Sequence, residues 1–297
     1  MANLTHTMIP KGKLIIIGGH EDKGDLPGEN LTVYNKKKNV TRFEILGKLV
    51  QETPRAHHEI EIIAAASSIP IDMEQMYITA YEQEGFTKVS FIKVGSIADA
   101  HKPDSVERIK EAHAVFFTGG DQGRLVALIQ ETPLLQAIRD KYYGHENFII
   151  AGTSAGAMAL PEIIITGGLI GAALYKDDIK ISRGLNFISG IIVDTHFIKR
   201  GRIARLAHAI ALNPVCLGIG LEENTALIIS GGNHAECIGS GMVITLDGRN
   251  IKNTNIGTAT EYIPIVVENL QMSIIAEGVT YSIKERKFIK SLSDSIE

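Results

Sequence analysis

One serine in this sequence stands where a hydrolase would place its nucleophile. Gly152-Thr153-Ser154-Ala155-Gly156 follows the apolar run 148–151 and precedes an alanine-rich helix start. That is the strand–turn–helix setting of a Gly-x-Ser-x-Gly elbow, which points to acyl transfer through the Ser154 hydroxyl. A turn sharp enough to lift the hydroxyl above a sheet leaves room for hydrogen, not for a Cβ, on either side. The same turn aims the Ala155 N–H and a helix N-terminus at the point where an oxyanion forms. Small residues in such a corner can equally be tight packing, so the chemistry has to be matched elsewhere.

In open α/β sheets, sites form beyond the carboxyl ends of strands, and three further strand ends carry suitable groups. The run 115–117 leads into Thr118-Gly119-Gly120-Asp121-Gln122, where the N–H of Gly120 can complete an oxyanion hole with that of Ala155 and Gln122 can reach substrate. The run 191–193 leads into Asp194-Thr195-His196, which supplies a general base for Ser154. The run 215–219 is followed by Glu222 and Glu223, carboxylates able to orient that imidazole. Singly these are loop glycines, a surface histidine and solvated glutamates. Together they give Ser, His and Glu in chain order at successive strand ends.

Beyond His196 a helix is predicted from 199, with Ile203, Leu206, Ala207, Ile210 and Ala211 as its apolar stripe and Asn213-Pro214 as its stop. Arg202 and Arg205 are placed side by side off that stripe, and with Arg200 they put guanidinium forks, suited to carboxylates, near the base.

The elements that must position these groups follow from the remaining pattern. Apolar runs at 14–17, 60–66, 89–94, 115–117, 148–151, 191–193 and 215–219 alternate with helical stretches at 73–84, 104–112, 124–143 and 202–212. Such alternation predicts an α/β fold with a predominantly parallel sheet and helices on both faces. After Glu223, short strands at 226–230, around Cys237, at 242–246 and at 263–267 are separated by glycine-rich turns. They read as a small antiparallel C-terminal appendage over about 226–290, within one α/β domain spanning 1–297.

Composition narrows the function classes. A net charge of −4 offers no global basic field for nucleic acid or an anionic membrane. The weakly polar stretch 163–174 is shorter than the ~18 residues of a membrane span, and the N-terminus has no apolar signal core. Cys216 and Cys237 lack metal or redox spacing and read as buried thiols of a cytoplasmic protein. His57-His58-Glu59 lacks the His-Glu-x-x-His spacing of a metal site. Gly18-Gly19-His20-Glu21 lacks the third glycine of a dinucleotide turn and reads as a loop near the site, with Glu21 and Asp22 as supporting polar groups. Lys36-Lys37-Lys38 reads as a solvated loop, and 291–297 as a frayed end.

Taken together, Gly-Gly-His-Glu-Asp-Lys at 18–23, Gly-Gly-Asp-Gln at 119–122, Gly-Thr-Ser-Ala-Gly-Ala at 152–157, Asp-Thr-His-Phe at 194–197 and Gly-Ile-Gly-Leu-Glu-Glu-Asn-Thr-Ala at 218–226 resemble the cyanophycinases. These are peptidase E-like serine peptidases that share their sheet with class I glutamine amidotransferase-like proteins. The resemblance implies a cytoplasmic, homodimeric exopeptidase without metal or organic cofactor. Its substrate would be cyanophycin, a poly-aspartate backbone bearing arginine on the side-chain carboxyls, and its product β-Asp-Arg. Carried over by motif, the triad is Ser154, His196 and Glu223, with Gln122, Asp194, Thr195, Arg200, Arg202 and Arg205 at the substrate pocket. Glu222 faces away in this reading. Thr195 stands where the cyanophycinases usually have Gln. Because peptidase E relatives have an acid between Ser and His, Asp177 and Asp178 stay open for the third place, as does the nearby Glu162. The alternatives to cyanophycin hydrolysis are a peptidase E-type aspartyl dipeptidase and a non-catalytic binding protein of the same fold. A glutamine amidotransferase fits less well, because its elbow carries Cys.

Overall fold

The computed structural model describes residues 8–21, 44–53, 59–66, 71–168, 175–260 and 263–290. Asp22, the Lys36–Lys38 run, His57, His58 and 291–297 lie outside the described residues. Strands β1 (Lys13–Ile17), β2 (Glu59–Ile63), β3 (Lys88–Ile92), β4 (Ala114–Phe117) and β5 (Ile149–Thr153) lie side by side in the order β1-β5-β4-β2-β3. Every neighbouring pair among them is parallel. Each residue of β4 and β5 is buried, which is why these strands read as unbroken apolar runs rather than as alternations.

Helices α1 (Glu44–Glu52) and α2 (Ile71–Glu84) cover one face, where Leu46, Leu49, Tyr77 and Tyr81 pack on Ile15, Ile60 and Phe116. Helices α3 (Pro103–Glu111), α4 (Gln122–Ile129) and α5 (Pro133–Gly144) cover the other, with Ile109, Leu125 and Ile138 against Leu14, Val115 and Ile150. The single helix predicted over 124–143 is in fact two. Glu131 adopts φ 59°, Thr132 accepts the Leu135 N–H as N-cap and Pro133 opens α5; a proline is suited to the first turn of a helix and not to its middle.

After β5 come α6 (Ala155–Ala159) and the hairpin of β6 (Ile163–Gly168) with β7 (Ile179–Arg183). They are followed by β8 (Ile191–Thr195), α7 (Ile203–Leu212), β9 (Leu217–Leu221), β10 (Thr225–Ser230), β11 (His234–Gly239), β12 (Val243–Asp247), β13 (Gln271–Ile275), β14 (Thr280–Ser282) and β15 (Lys287–Lys290). The C-terminal strands are antiparallel additions, as expected, and they are divided between two sheets. β10, β11, β14 and β15 extend the main sheet antiparallel from β1 to make nine strands, whereas β12 and β13 join the parallel pair β8–β9 in a second sheet of four. Val193, Ile219 and Leu246 of that second sheet share a core with Leu14 and Phe117 of the first. The strand predicted over 263–267 is replaced by isolated bridges from Pro264 to Tyr175 and from Val267 to Thr254. Among the described residues no helix is long and apolar enough to cross a membrane, and Cys216 and Cys237 are buried thiols in no disulfide.

Helix α7 buries Leu206, Ile210 and Ala211 of its predicted stripe but departs from it at two positions. It begins at Ile203, which is 46% exposed, while Arg205 is 6% exposed. The apolar stripe thus yields a buried position to a guanidinium, because a buried carboxylate on β8 faces it.

Candidate active site

Ser154 follows directly on β5 with φ 51° and ψ −116°, in the left-handed half of backbone space that a serine adopts only when its surroundings impose it. Backbone contacts impose it here. The Ser154 N–H donates to the Ile17 carbonyl at 3.1 Å, and the Met158 N–H donates to the Ser154 carbonyl at 3.0 Å. A Cβ on Gly156 would lie 2.2 Å from the Phe117 carbonyl oxygen, and one on Gly152 would lie 2.7 Å from the Gly156 carbonyl carbon. The glycines of the elbow are therefore demanded by backbone packed on backbone, and the side chain between them projects outward.

His196 follows β8, in the second sheet, and reaches the elbow through the loop after β1. Its N–H donates to the Gly18 carbonyl at 2.9 Å, and the Gly19 carbonyl accepts from the Asn224 N–H at 3.0 Å. Gly18-Gly19 thus ties together the ends of β1, β8 and β9. A Cβ on Gly19, at φ +103°, would lie 2.5 Å from His196 Nε2. A Gly19→Ala protein is accordingly expected to fold but to hold the imidazole out of place, lowering kcat/KM by about 10²-fold, the typical penalty for an ångström-scale misplacement; steady-state kinetics on purified protein checks this.

His196 Nε2 lies 2.9 Å from Ser154 Oγ, and His196 Nδ1 lies 2.7 Å from Glu223 Oε1. The other Glu223 oxygen accepts from Lys199 Nζ at 2.6 Å. Burial lowers the His196 pKa from its ordinary value, with help from Arg200 and Arg202 and against the pull of Glu223. For Glu223, burial opposes ionisation, but hydrogen bonds from Lys199 and His196 prevail and hold its carboxyl below the usual range. The imidazole thus stays neutral, and able to accept a proton, as pH falls below the ordinary histidine value near 6.5. The acid limb of kcat/KM is expected below that value, and a pH–rate profile reads it directly.

With both imidazole nitrogens engaged, the other acids find different partners. Glu222 Oε2 accepts the N–H groups of Ile198 and Lys199 at 2.6 and 3.2 Å, fixing the turn after His196. Asp178 accepts the Tyr175 N–H before β7, while Asp177 and Glu162 are exposed. Gly119 passes so close to the nucleophile that a Cβ on it would lie 3.5 Å from Ser154 Cβ, and Gly120 has φ +141°. The N–H groups of Thr118 and Asp121 donate to Ile63 and Ala66. Gly119 and Gly120 follow one another between those two anchored residues.

The substrate-side residues of the sequence reading are distributed differently. Asp194 is completely buried and accepts from Arg202 Nη1 at 2.9 Å, from Arg205 Nε at 2.8 Å and from the Arg205 Nη2. Arg202 Nη1 also donates to the Thr195 carbonyl at 2.9 Å. Asp194, Arg202 and Arg205 thus pair with one another, and Thr195 is buried beside them. Arg200 is exposed. Gln122 donates from Nε2 to the Ile165 carbonyl at 2.6 Å, joining α4 to β6.

One residue of the site, Lys199, carried no specific sequence signal, since it lay within a predicted helix. Glu21, expected as a supporting group, is buried behind the elbow, where Thr153 Oγ1 and the Tyr77 hydroxyl donate to it. Among the described residues, no group of three or more His, Cys, Asp or Glu side chains is placed to hold a metal ion.

The sequence profile of Peptidase family S51 matches residues 35–237. Cyanophycinase of Synechococcus elongatus is 31% identical over 274 residues, 92% of this chain and 80% of that protein. The cyanophycinase of Geminocystis herdmanii is also 31% identical, over 92% of this chain and 94% of its own, and that of Nostoc sp. is 29% identical over 95% and 89%. Among solved structures, a peptidase from an acI-B1 actinobacterium superposes with a TM-score of 0.62 at 22% identity, covering 93% of this chain and 98% of its own, a likeness of fold.

Proposed function

The chain belongs to Peptidase family S51 and is a serine-type peptidase, and from that premise we propose that it is an exopeptidase releasing β-Asp-Arg dipeptides from cyanophycin through an acyl-enzyme on Ser154. The observation that carries the mechanism is the continuous relay from Ser154 Oγ through His196 to Glu223, at 2.9 and 2.7 Å. In this reading Ser154 attacks an aspartyl carbonyl, and His196 Nε2 takes the hydroxyl proton and returns it to the leaving amine. Glu223 holds the imidazole in the required tautomer and stabilises its charged form. The N–H groups of Gly120 and Ala155 receive the oxyanion, and water then repeats the sequence in reverse to free the product.

The substrate is inferred from the cyanophycinases to which the chain is similar along nearly its whole length. Arg200 is the guanidinium left for a free carboxylate of the polymer, carried by its attached arginines, with Gln122 at the rim. Asp194, Arg202, Arg205 and Thr195 act from buried positions. Two guanidiniums against one carboxylate leave a net positive charge, which favours the free carboxylates that the polymer's arginines carry. The same reading takes the protein to be a cytoplasmic homodimer and residues 1–297 to be one folding unit, since the two sheets share a core.

Incubation with insoluble cyanophycin and mass analysis of the soluble products tests the substrate. β-Asp-Arg is expected as the main product, without a ladder of longer fragments. Rapid cleavage of Asp-X dipeptides with the polymer left intact would replace this reading with an aspartyl dipeptidase.

A further inference from the structure

We infer that Lys199 is a positioning residue of the site, pinning one oxygen of Glu223 so that the other stays aimed at His196. The inference rests on the reading of Ser154, His196 and Glu223 as a relay and adds a fourth member to it. A carboxylate held by one donor can rotate about its side chain, whereas donors on opposite oxygens fix both its plane and its reach. Glu223 has the second arrangement, with His196 Nδ1 on Oε1 at 2.7 Å and Lys199 Nζ on Oε2 at 2.6 Å.

The lysine is itself held in place. Its N–H and that of Ile198 converge on Glu222 Oε2. The adjacent glutamates after β9 therefore grip the same turn, Glu222 by its backbone and Glu223 by its side chain. The Lys199 side chain is 60% exposed and that of Glu223 is 18% exposed. Solvent weakens the long-range attraction of such a pair, so what survives is the short charge-assisted hydrogen bond and the orientation it gives.

The surrounding charges leave this task to Lys199. Arg202 is committed to Asp194 and the Thr195 carbonyl, and Arg200 acts on the imidazole, where it opposes protonation. The loop after β1 presents the backbone of Gly18 and Gly19 to His196, and β5 presents Ser154. Lys199 is the cation hydrogen-bonded to Glu223, and its bond comes first among the influences that keep Glu223 ionised against burial.

The test compares wild type, Lys199→Met and Lys199→Arg, with Ser154→Ala as the blank. Fluorophosphonate labelling rates are measured across pH, and kcat and KM on the cleaved substrate. Lys199→Met is expected to lower kcat and the labelling rate roughly tenfold, the worth of one hydrogen bond to a charged group, with KM changed less than about twofold. Its acid limb should move to higher pH, because removing a cation beside the pair eases protonation of His196. Lys199→Arg should restore most of the rate. Identical labelling rates and acid limbs in wild type and Lys199→Met would overturn the inference, as would a rise in KM alone, which would make Lys199 a substrate contact. A wild-type protein that is not labelled at all would instead remove the relay reading on which the inference stands.

Discussion

Ser154→Ala is expected to leave a folded protein with turnover reduced by roughly 10⁴–10⁶-fold, since members of such a relay act as a unit and lose their effect together. The structure gives reasons to expect loss of rate without loss of fold. The unusual backbone of Ser154 is held by main-chain bonds to Ile17 and Met158 and by the glycines around it, none of which needs the hydroxyl. What disappears is the only oxygen placed 2.9 Å from His196 Nε2 among the described hydrogen bonds. The N–H groups of Gly120 and Ala155 persist and should leave a small residual rate above that in water. Parallel measurement of dipeptide release and thermal midpoint separates the two effects.

Asp194→Ala is expected to show the opposite balance, a loss of about 3–5 kcal/mol of stability, the usual cost of removing one partner from a buried ionic cluster. Asp194 is fully buried, and Arg202 and Arg205 both depend on it. Without it two guanidiniums remain in a site that excludes water, one of them with its Nε already lacking a hydrogen-bond partner. Arg200→Ala, at an exposed position in the same segment, should change stability by no more than about 0.5 kcal/mol. Urea denaturation of the three proteins measures this. If the chain is one folding unit, as proposed, Asp194→Ala moves a single transition and does not split it.

Much of the site was legible because its residues sit next to sharply bounded apolar strands. The Gly-x-Ser-x-Gly turn, Asp194-Thr195-His196 and Glu222-Glu223 could each be placed at a strand end from local pattern alone. The pattern could not reveal that β8 and β9 belong to a second sheet, since sheet membership depends on pairing between distant segments such as β9 with β12. Nor could it reveal that the buried face of α7, which keeps Leu206 and Ile210, gives up Ile203 and takes in Arg205. Hydrophobicity places Ile203 inside and Arg205 outside, but the buried carboxylate of Asp194 outweighs that preference. The break between α4 and α5 did carry a signal, Thr132-Pro133, which the apolar periodicity of 124–143 masked. Helix α1 had weaker cues, with Gly47 inside a span of only nine residues.

The central claim is that Ser154 is the atom-bearing nucleophile of this peptidase, and covalent trapping addresses it most directly. After reaction with a fluorophosphonate, intact mass and peptide mapping should show one adduct, on the peptide containing Ser154, absent from Ser154→Ala. An adduct on a different residue, or dipeptide release from cyanophycin that continues undiminished in Ser154→Ala, would contradict the account.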